Sequence, residues 1–449
     1  MTTSVGRNSG STATPTKATF SYWLKGQHDG TQQGIWGWHR GNDASNFWMG
    51  VYYSTNGSMY FNWKQTSLSV TLGTTQKFRD PTAWTHHVIA IDTTQGTAAD
   101  RVKWYINGER VTSFEDGLDT ISQNTTILNW SNSQDKMEIG TFYISSSASN
   151  LNNHFISHFH MTDGYVYDAS AFGETDSTTG IWKINTSPSV TYGNEGVFVF
   201  KDDAAVTDRS GNGNNFTLDQ GTLIPTQDNP SNNFPTLNPL QGIQAGEMGL
   251  LECNLYLSGN SSSQWRAIGA TLAAISGKYY WEGKCIGNSG GTTIRTGICD
   301  AEQLPAVAGT KFSQQSRGWG INTSGNVTNN DSTVGGWTGT SWTTNDILMF
   351  AMDLTNSKFY IGKNGTWMNS GDPTSGSTGT GALSITSGYY YTPAHENYDA
   401  AANFAYNFGN GYFRTTAISS EGTNASNLGK FEYDVPTGYS ALCTKGLNE

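Results

Sequence analysis

Two Asn-Gly pairs, each set between short alternating runs, constrain this chain more than any other feature. Asn107-Gly108 lies inside RVKWYINGERV (Arg101–Val111), and Asn364-Gly365 lies inside KFYIGKNGTW (Lys358–Trp367). Asn-Gly tolerates positive φ at both central positions, as a two-residue hairpin turn demands. Each hairpin follows a run ending in aspartate, HHVIAID to Asp92 and ILMFAMD to Asp353. The same strand–strand–hairpin order, met twice in 449 residues, predicts two separate β-sandwiches at about 100–200 residues per domain.

The rest of the chain agrees. From Ala18 onward, runs such as ATFSYWLK, FWMGVYY and SMYFNW alternate with Gly, Asn and Ser clusters, and no segment keeps a helical period over three turns. This pattern predicts an all-β protein of two antiparallel jelly-roll or β-sandwich domains joined by an ordered linker. Residues 1–16 are rich in Ser, Thr and Gly without periodicity, and read as an extended arm, disordered alone or ordered against a partner. The first sandwich is expected over 17–168. Residues 169–245 crowd together turn signals and the prolines Pro225, Pro230, Pro235 and Pro239 around one apolar run, GVFVF. They read as a turn-rich linker with a short strand, and 246–449 as the second sandwich.

Composition excludes several function classes. Charged residues make up 14% of the chain, against about 25% in an average soluble protein, and the net charge is -11. Nucleic acid and anionic membrane both need a basic face, so neither is an expected partner. The longest apolar runs, such as Ile347–Met352, are far too short to span a bilayer, and MTTSVGRNSGSTATPTK lacks the apolar core of a signal peptide. Cys253, Cys285, Cys299 and Cys443 lie in the second half without a CxxC. They read as free thiols made in a reducing compartment, or alternatively as one or two bridges. Aromatics at 12% supply real cores. A surface of Asn, Ser, Thr and Gly with few charges suits tight assembly, since burying it strands few ions.

No motif announces catalysis, and no cofactor is expected. A GxSxG elbow is absent from the sequence, and no Cys/His pair has the spacing of a nucleophile and its base. Glu174 and Asp176 sit in a Gly/Thr-rich stretch that reads as a capped turn, and Glu115 and Asp116 read as loop carboxylates. His158 and His160, two apart, would share one face of a strand and could hold a cation with Asp163 nearby, although a half-buried strand is the simpler reading. His86 and His87 would face opposite ways, one of them packing near Trp84. Asp208, Asn212 and Asn214 offer oxygen ligands in a glycine loop, yet no acidic residue closes it as a calcium loop requires, which favours an Asx turn. No metal site is therefore expected, with His158, His160 and Asp208 as the weak candidates.

Sugar binding needs aromatic plates beside amides or hydroxyls. The glycine-rich stretches GIWGWHRGND and VGGWTGTSW offer Trp36, Trp38 and His39, and Trp337 and Trp342. Core or inter-subunit packing is the alternative for all five.

These phrases also carry a resemblance. ATFSYWLK, AWTHHVIAID, KWYINGERV, MEIG at Met137–Gly140 and FISHFHMTDG at Phe155–Gly164 together resemble a laminin-G-like, concanavalin A-like jelly roll. GKYYWEGK at Gly277–Lys284, GWGI at Gly318–Ile321, NDILMFAMDLTNSKFYIGKNGTW and NFAYNFG at Asn403–Gly409 resemble a SPRY domain. The joining phrases FGETDSTTGIWK, DRSGNGNNFT and SNNFPTLNPL, and the ending FEYDVPTGYSALCTKGLNE, are similar to virion proteins of tailed phages of marine bacteria. The resemblance implies a non-enzymatic virion structural protein, made in the bacterial cytoplasm. It would decorate the head or form a head or tail fibre, with other capsid or tail proteins as partners and a homotrimer as the assembly. The alternative it leaves is a receptor-binding fibre adhesin for host surface polysaccharide. A glycosidase of the concanavalin A-like fold would need a Glu-x-Asp-x-Glu strand with paired carboxylates, and no such run exists. One departure stands out. The DxSGNGN phrase of laminin-G-like domains usually lies near the jelly roll's start, but here Asp208–Asn214 follows it. The GVFVF run therefore either folds back to complete the first sandwich or belongs to the linker.

Overall fold

In the computed structural model both Asn-Gly pairs turn tight hairpins, with φ of 47° and 84° at Asn107 and Gly108 and of 48° and 83° at Asn364 and Gly365. The two asparagines do a second job. The Asn107 side-chain oxygen accepts the His86 amide at 2.8 Å, and that of Asn364 accepts the Ile347 amide at 2.8 Å. Each turn thus ties itself to the strand before it, which explains why the same order recurs. At Gly108 a Cβ would lie 2.4 Å from the Trp182 ring, so glycine is required there for packing as well as for φ.

The structure describes residues 3–10, 14–26, 30–41, 46–115, 121–127, 135–144, 147–148, 154–201, 206–241, 248–260, 264–288 and 292–448. They form two compact units, 1–225 and 226–449. In the first, a seven-stranded antiparallel sheet runs in the order Thr217–Gln220, Ser4–Asn8, Asp135–Ile139, Gln33–Arg40, Phe47–Tyr53, Met59–Gln65 and Leu68–Gly73. The opposing six-stranded sheet runs Val197–Val199, Phe155–Asp163, Lys17–Lys25, Thr85–Asp92, Val102–Ile106 and Glu109–Arg110. Alternation turns Phe20, Tyr22 and Leu24 inward from Lys17–Lys25, where Phe20 stacks on Trp36 at 4.2 Å.

The second unit repeats the plan. One sheet carries Lys278–Gly287 between Asn403–Asn407 and Ile347–Asp353, and Ser440–Ala441 joins it in parallel. The other is built on Arg266–Gly269, Tyr391–Asn397, Ile294–Asp300 and Gly318–Asn322. Trp281 stacks on Phe350 and Phe359 in the interior. The neighbouring Tyr280 and Glu282 point to the opposite face, where Phe431, Val435 and Tyr439 of the closing segment cover them together with Phe234. Burial pushes the Glu282 carboxyl up to about 7. Its oxygens take the backbone amides of Glu432 and Tyr433, each at 2.9 Å, and so fix the covering segment to the sheet.

Two expectations about organisation need correction. Within 1–16, Ser4–Asn8 is a strand inside the first unit's own sheet, with Val5 opposite both Ile139 and Leu218. Only one of its residues is strongly apolar, which hid the strand among Ser, Gly and Asn. Besides its two ladders and the buried Val5, an ion pair holds it: buried Arg7 pairs with buried Glu195 at 2.8 Å and donates to the Asn214 side chain at 3.1 Å. The stretch 169–245, expected as a turn-rich linker with a short strand, is instead shared out between the two units, and of the two readings left open for GVFVF the fold-back one holds. GVFVF folds back, Val197–Val199 pairing with Phe155–Asp163, whereas Phe234 and Leu237 pack within the second unit.

Removing one partner of a buried ion pair strands the other's charge, at a cost of about 3–5 kcal/mol. Arg7→Met is therefore expected to lower the thermal midpoint of the first unit while leaving that of the second unchanged, as read by scanning calorimetry.

Candidate functional site

The structure disperses the residues the sequence offered for sugar contact. Trp36 and Trp38 do share one strand face, but it is the inward one, and both are fully buried in the aromatic core. Trp342 is buried too, edge-on to Phe404 at 6.1 Å. None of these three indoles offers a plate to a ligand. Trp337 is half-buried and donates its indole N–H to the Gly381 carbonyl at 3.1 Å. His39 binds Glu138 through Nε2 at 3.0 Å.

The metal candidates are likewise spent on structure. His158 lies at a break in the strand register, with φ 48°, so it and His160 do not continue a simple alternation. The His158 Nδ1 meets the Ser157 hydroxyl at 2.8 Å, while His160 Nδ1 meets the Tyr192 hydroxyl at 2.9 Å and its ring stacks on Phe198 at 3.9 Å. The Asp208 carboxylate accepts from the amides of Phe198, Ser210 and Asn214 and from the Ser210 hydroxyl. This is the Asx-type loop, its oxygens filled by its own backbone. Among the described residues no three His, Cys, Asp or Glu side chains gather as a metal site would require.

Of the other carboxylates the sequence offered, Asp176 and Glu115 are engaged. Glu174 lies on the short strand Gly173–Thr175, a correction to the turn expected there. Asp176 does close a turn, accepting the amides of Thr178 and Thr179 and pairing with Lys183 at 2.8 Å. Glu115 is held by Lys77 at 2.6 Å and by the Tyr60 hydroxyl, which together draw its carboxyl down to about 2. Asp116 lies outside the described residues.

What the sequence did not assemble is the outer face of the first unit's six-stranded sheet. There His86 stacks on Trp23 at 4.7 Å, its Nε2 meets the Ser21 hydroxyl at 2.9 Å, and its Nδ1 accepts the Trp182 indole N–H at 3.0 Å. That last bond fixes the tautomer, with the proton on Nε2. His87 faces the other way, as adjacent strand residues must, and stacks on Tyr22 inside the core. Phe172, Trp182, Tyr192 and Phe198 come from the stretch expected to be a linker and roof this face.

Beside that roof a cleft of about 680 Å³ opens. The Asn107-Gly108 turn and the residues after it form one side, Gly180–Trp182 form another, and Gln76 and Trp84 complete it. Ile181 stands 63% exposed at its lip. Sequence reasoning met Trp84 only as a neighbour for a histidine, and passed over Trp182 because it lies in a turn-rich stretch far along the chain. Trp182 is placed by the His86 bond and by its contact with Gly108.

The sheets define an all-β protein of jelly-roll-type antiparallel sandwiches. No protein-family model matches the sequence, and neither does a curated protein. Among solved structures the chain is similar to the SPRY domain of human HERC1, at 16% identity over 34% of this chain and 87% of that one, with a TM-score of 0.28. It is similar to the native heptameric SAP-like pentraxin from Limulus polyphemus, at 14% identity over 37% and 72% of the two chains and a TM-score of 0.25. It is also similar to stonustoxin, at 17% identity over 38% and 27% with a TM-score of 0.27.

The buried histidines make a prediction about pH. Burial holds His86 and His160 well below the ordinary histidine range, with nearby histidines adding to the effect, and pushes His87 down to about 3. As pH falls below about 6.5 the unfolded chain takes up protons that the folded one refuses, so stability is full above that pH and lost below it. Each such histidine is expected to remove about 1.4 kcal/mol per pH unit. Urea unfolding at pH 7 and pH 5, followed by fluorine NMR of fluorotryptophan-labelled protein at Trp182, checks the slope. His87→Leu should remove one proton's share of it.

Proposed function

We propose that the chain is a non-enzymatic virion component of a tailed phage, decorating the head or forming a head or tail fibre. The observation that carries this reading is where the phage-like phrases lie in the fold. FGETDSTTGIWK supplies Phe172 and Trp182 to the roof of the first unit, and DRSGNGNNFT supplies the saturated Asp208 loop. SNNFPTLNPL and FEYDVPTGYSALCTKGLNE supply Phe234, Phe431, Val435 and Tyr439 to the cover of the second. The segments that set this chain apart from a plain sandwich are thus the ones that seal it into rigid parts. A sealed part with a polar, weakly charged surface suits permanent assembly among capsid or tail proteins, as a homotrimer, in the virion. The buried ion pairs Arg7–Glu195 and Arg295–Glu396 place carboxylates in structural service, consistent with a non-catalytic role. A second reading, a fibre that touches host polysaccharide, is favoured by the cleft beside Trp84 and Trp182.

Sedimentation of the purified chain with phage particles that lack it, and separately with host cells, tests the assignment. Saturable binding to particles at a fixed copy number is expected. Binding to cells with none to particles would replace the structural reading by the adhesin.

A further inference from the structure

The cleft beside the first hairpin is lined by polar groups that the fold does not use. The Asn107 side-chain oxygen is committed to the His86 amide, but its NH2 group has no partner among the described residues. The same holds for the Gln76 amide, the Glu109 carboxylate, and the Thr112 and Ser113 hydroxyls. Among these stand the apolar surfaces of Ile181, Val111 and the two indoles. Donors and acceptors interleaved with apolar patches are the chemistry of a polyhydroxylated ring, whose hydroxyls lie around a C–H face.

Charge narrows the ligand further. Arg110, the cation in the lining, is turned away to Asp100 at 3.0 Å and to the Ala99 carbonyl at 2.8 Å. Glu109 is left as the uncompensated charge, on a chain whose net charge is -11. An anionic sugar, a phosphate or a sulfate would meet repulsion and no cationic partner. The volume falls within the range of about 300–1,000 Å³ usual for ligand sites, and the cleft is open to solvent at Ile181, as a chain-like ligand needs.

We infer that this cleft binds a short neutral oligosaccharide, with Glu109, Asn107 and Gln76 taking its hydroxyls and Ile181 and the indole edges taking its apolar face. The assignment concerns the first unit itself and does not depend on where in a particle the chain sits. Trp182 belongs to both the cleft and the roof, so its bond to His86 holds one wall of the site in place.

The full chain on an array of neutral and acidic oligosaccharides tests this. Retention of neutral members over acidic ones is expected, with slowed hydrogen exchange at 105–113 and 173–184 when the best neutral member is added in solution. Glu109→Ala and Ile181→Ser alter exposed side chains and leave the fold intact. Each is expected to weaken that binding at least fivefold, whereas Arg110→Ala should change it less than twofold. Retention of acidic members instead, no retention at all, or unchanged binding by both cleft variants would overturn the assignment.

Discussion

A β-sheet with two apolar faces has to be covered twice, and most of this structure follows from that requirement. In the first unit, Lys17–Lys25 and Thr85–Asp92 are buried along almost their whole length on both sides. The opposing sheet covers one side, but Trp23, His86 and Val88 need something else over the other. Phe172, Trp182 and Phe198 supply it. Three aromatic side chains, at about 150–250 Å² each and about 25 cal/mol per Å², amount to on the order of 10 kcal/mol as an upper estimate. That is comparable to the whole net stability of a domain, about 5–15 kcal/mol. The roof is therefore part of the fold's thermodynamic foundation, and the same holds for the segment over Tyr280 and Glu282 in the second unit.

Irregular segments can serve as roofs only if their backbone polar groups find partners away from a sheet ladder. Here short polar side chains supply them. Asp208 gathers three amides and a hydroxyl, Asn212 and Asn214 donate to the carbonyls of Gly193, Asn194 and Gly196, and Glu195 closes on Arg7. In the second unit Glu282 and Asn407 do the equivalent for residues 430–433. The abundance of Asn, Ser, Thr and Asp in these stretches is thus explained from inside the molecule.

The legible part of the sequence was the part governed by local rules. Asn107-Gly108 and Asn364-Gly365 announced their hairpins because a positive φ at two successive positions narrows the choice of residues severely. The strands around them showed by β-branched and aromatic content. Ser4–Asn8 did not, since it has one strongly apolar residue and its partners, the flanking strands Asp135–Ile139 and Thr217–Gln220 and the Glu195 carboxylate, lie over a hundred positions away. Trp36 and Trp38 illustrate a subtler failure: two residues apart on a strand share a face, but alternation alone does not say which face is the core. The cleft was illegible for a similar reason, because Trp182 and Gln76 meet the hairpin only once the roof has been laid.

The position of Ser4–Asn8 has a consequence for how the protein is made. It lies between Asp135–Ile139 and Thr217–Gln220, so a strand that precedes both in chain order is among the last of the unit to find both neighbours. Until residue 220 has emerged, the first unit keeps an unpaired sheet edge, and Arg7 waits for Glu195. At about 5–20 residues per second, that interval is on the order of ten seconds or more. During that interval the exposed edge is open to mispairing with another chain, and the weakly apolar SVGRN sequence of Ser4–Asn8 offers such a chain little to pair with.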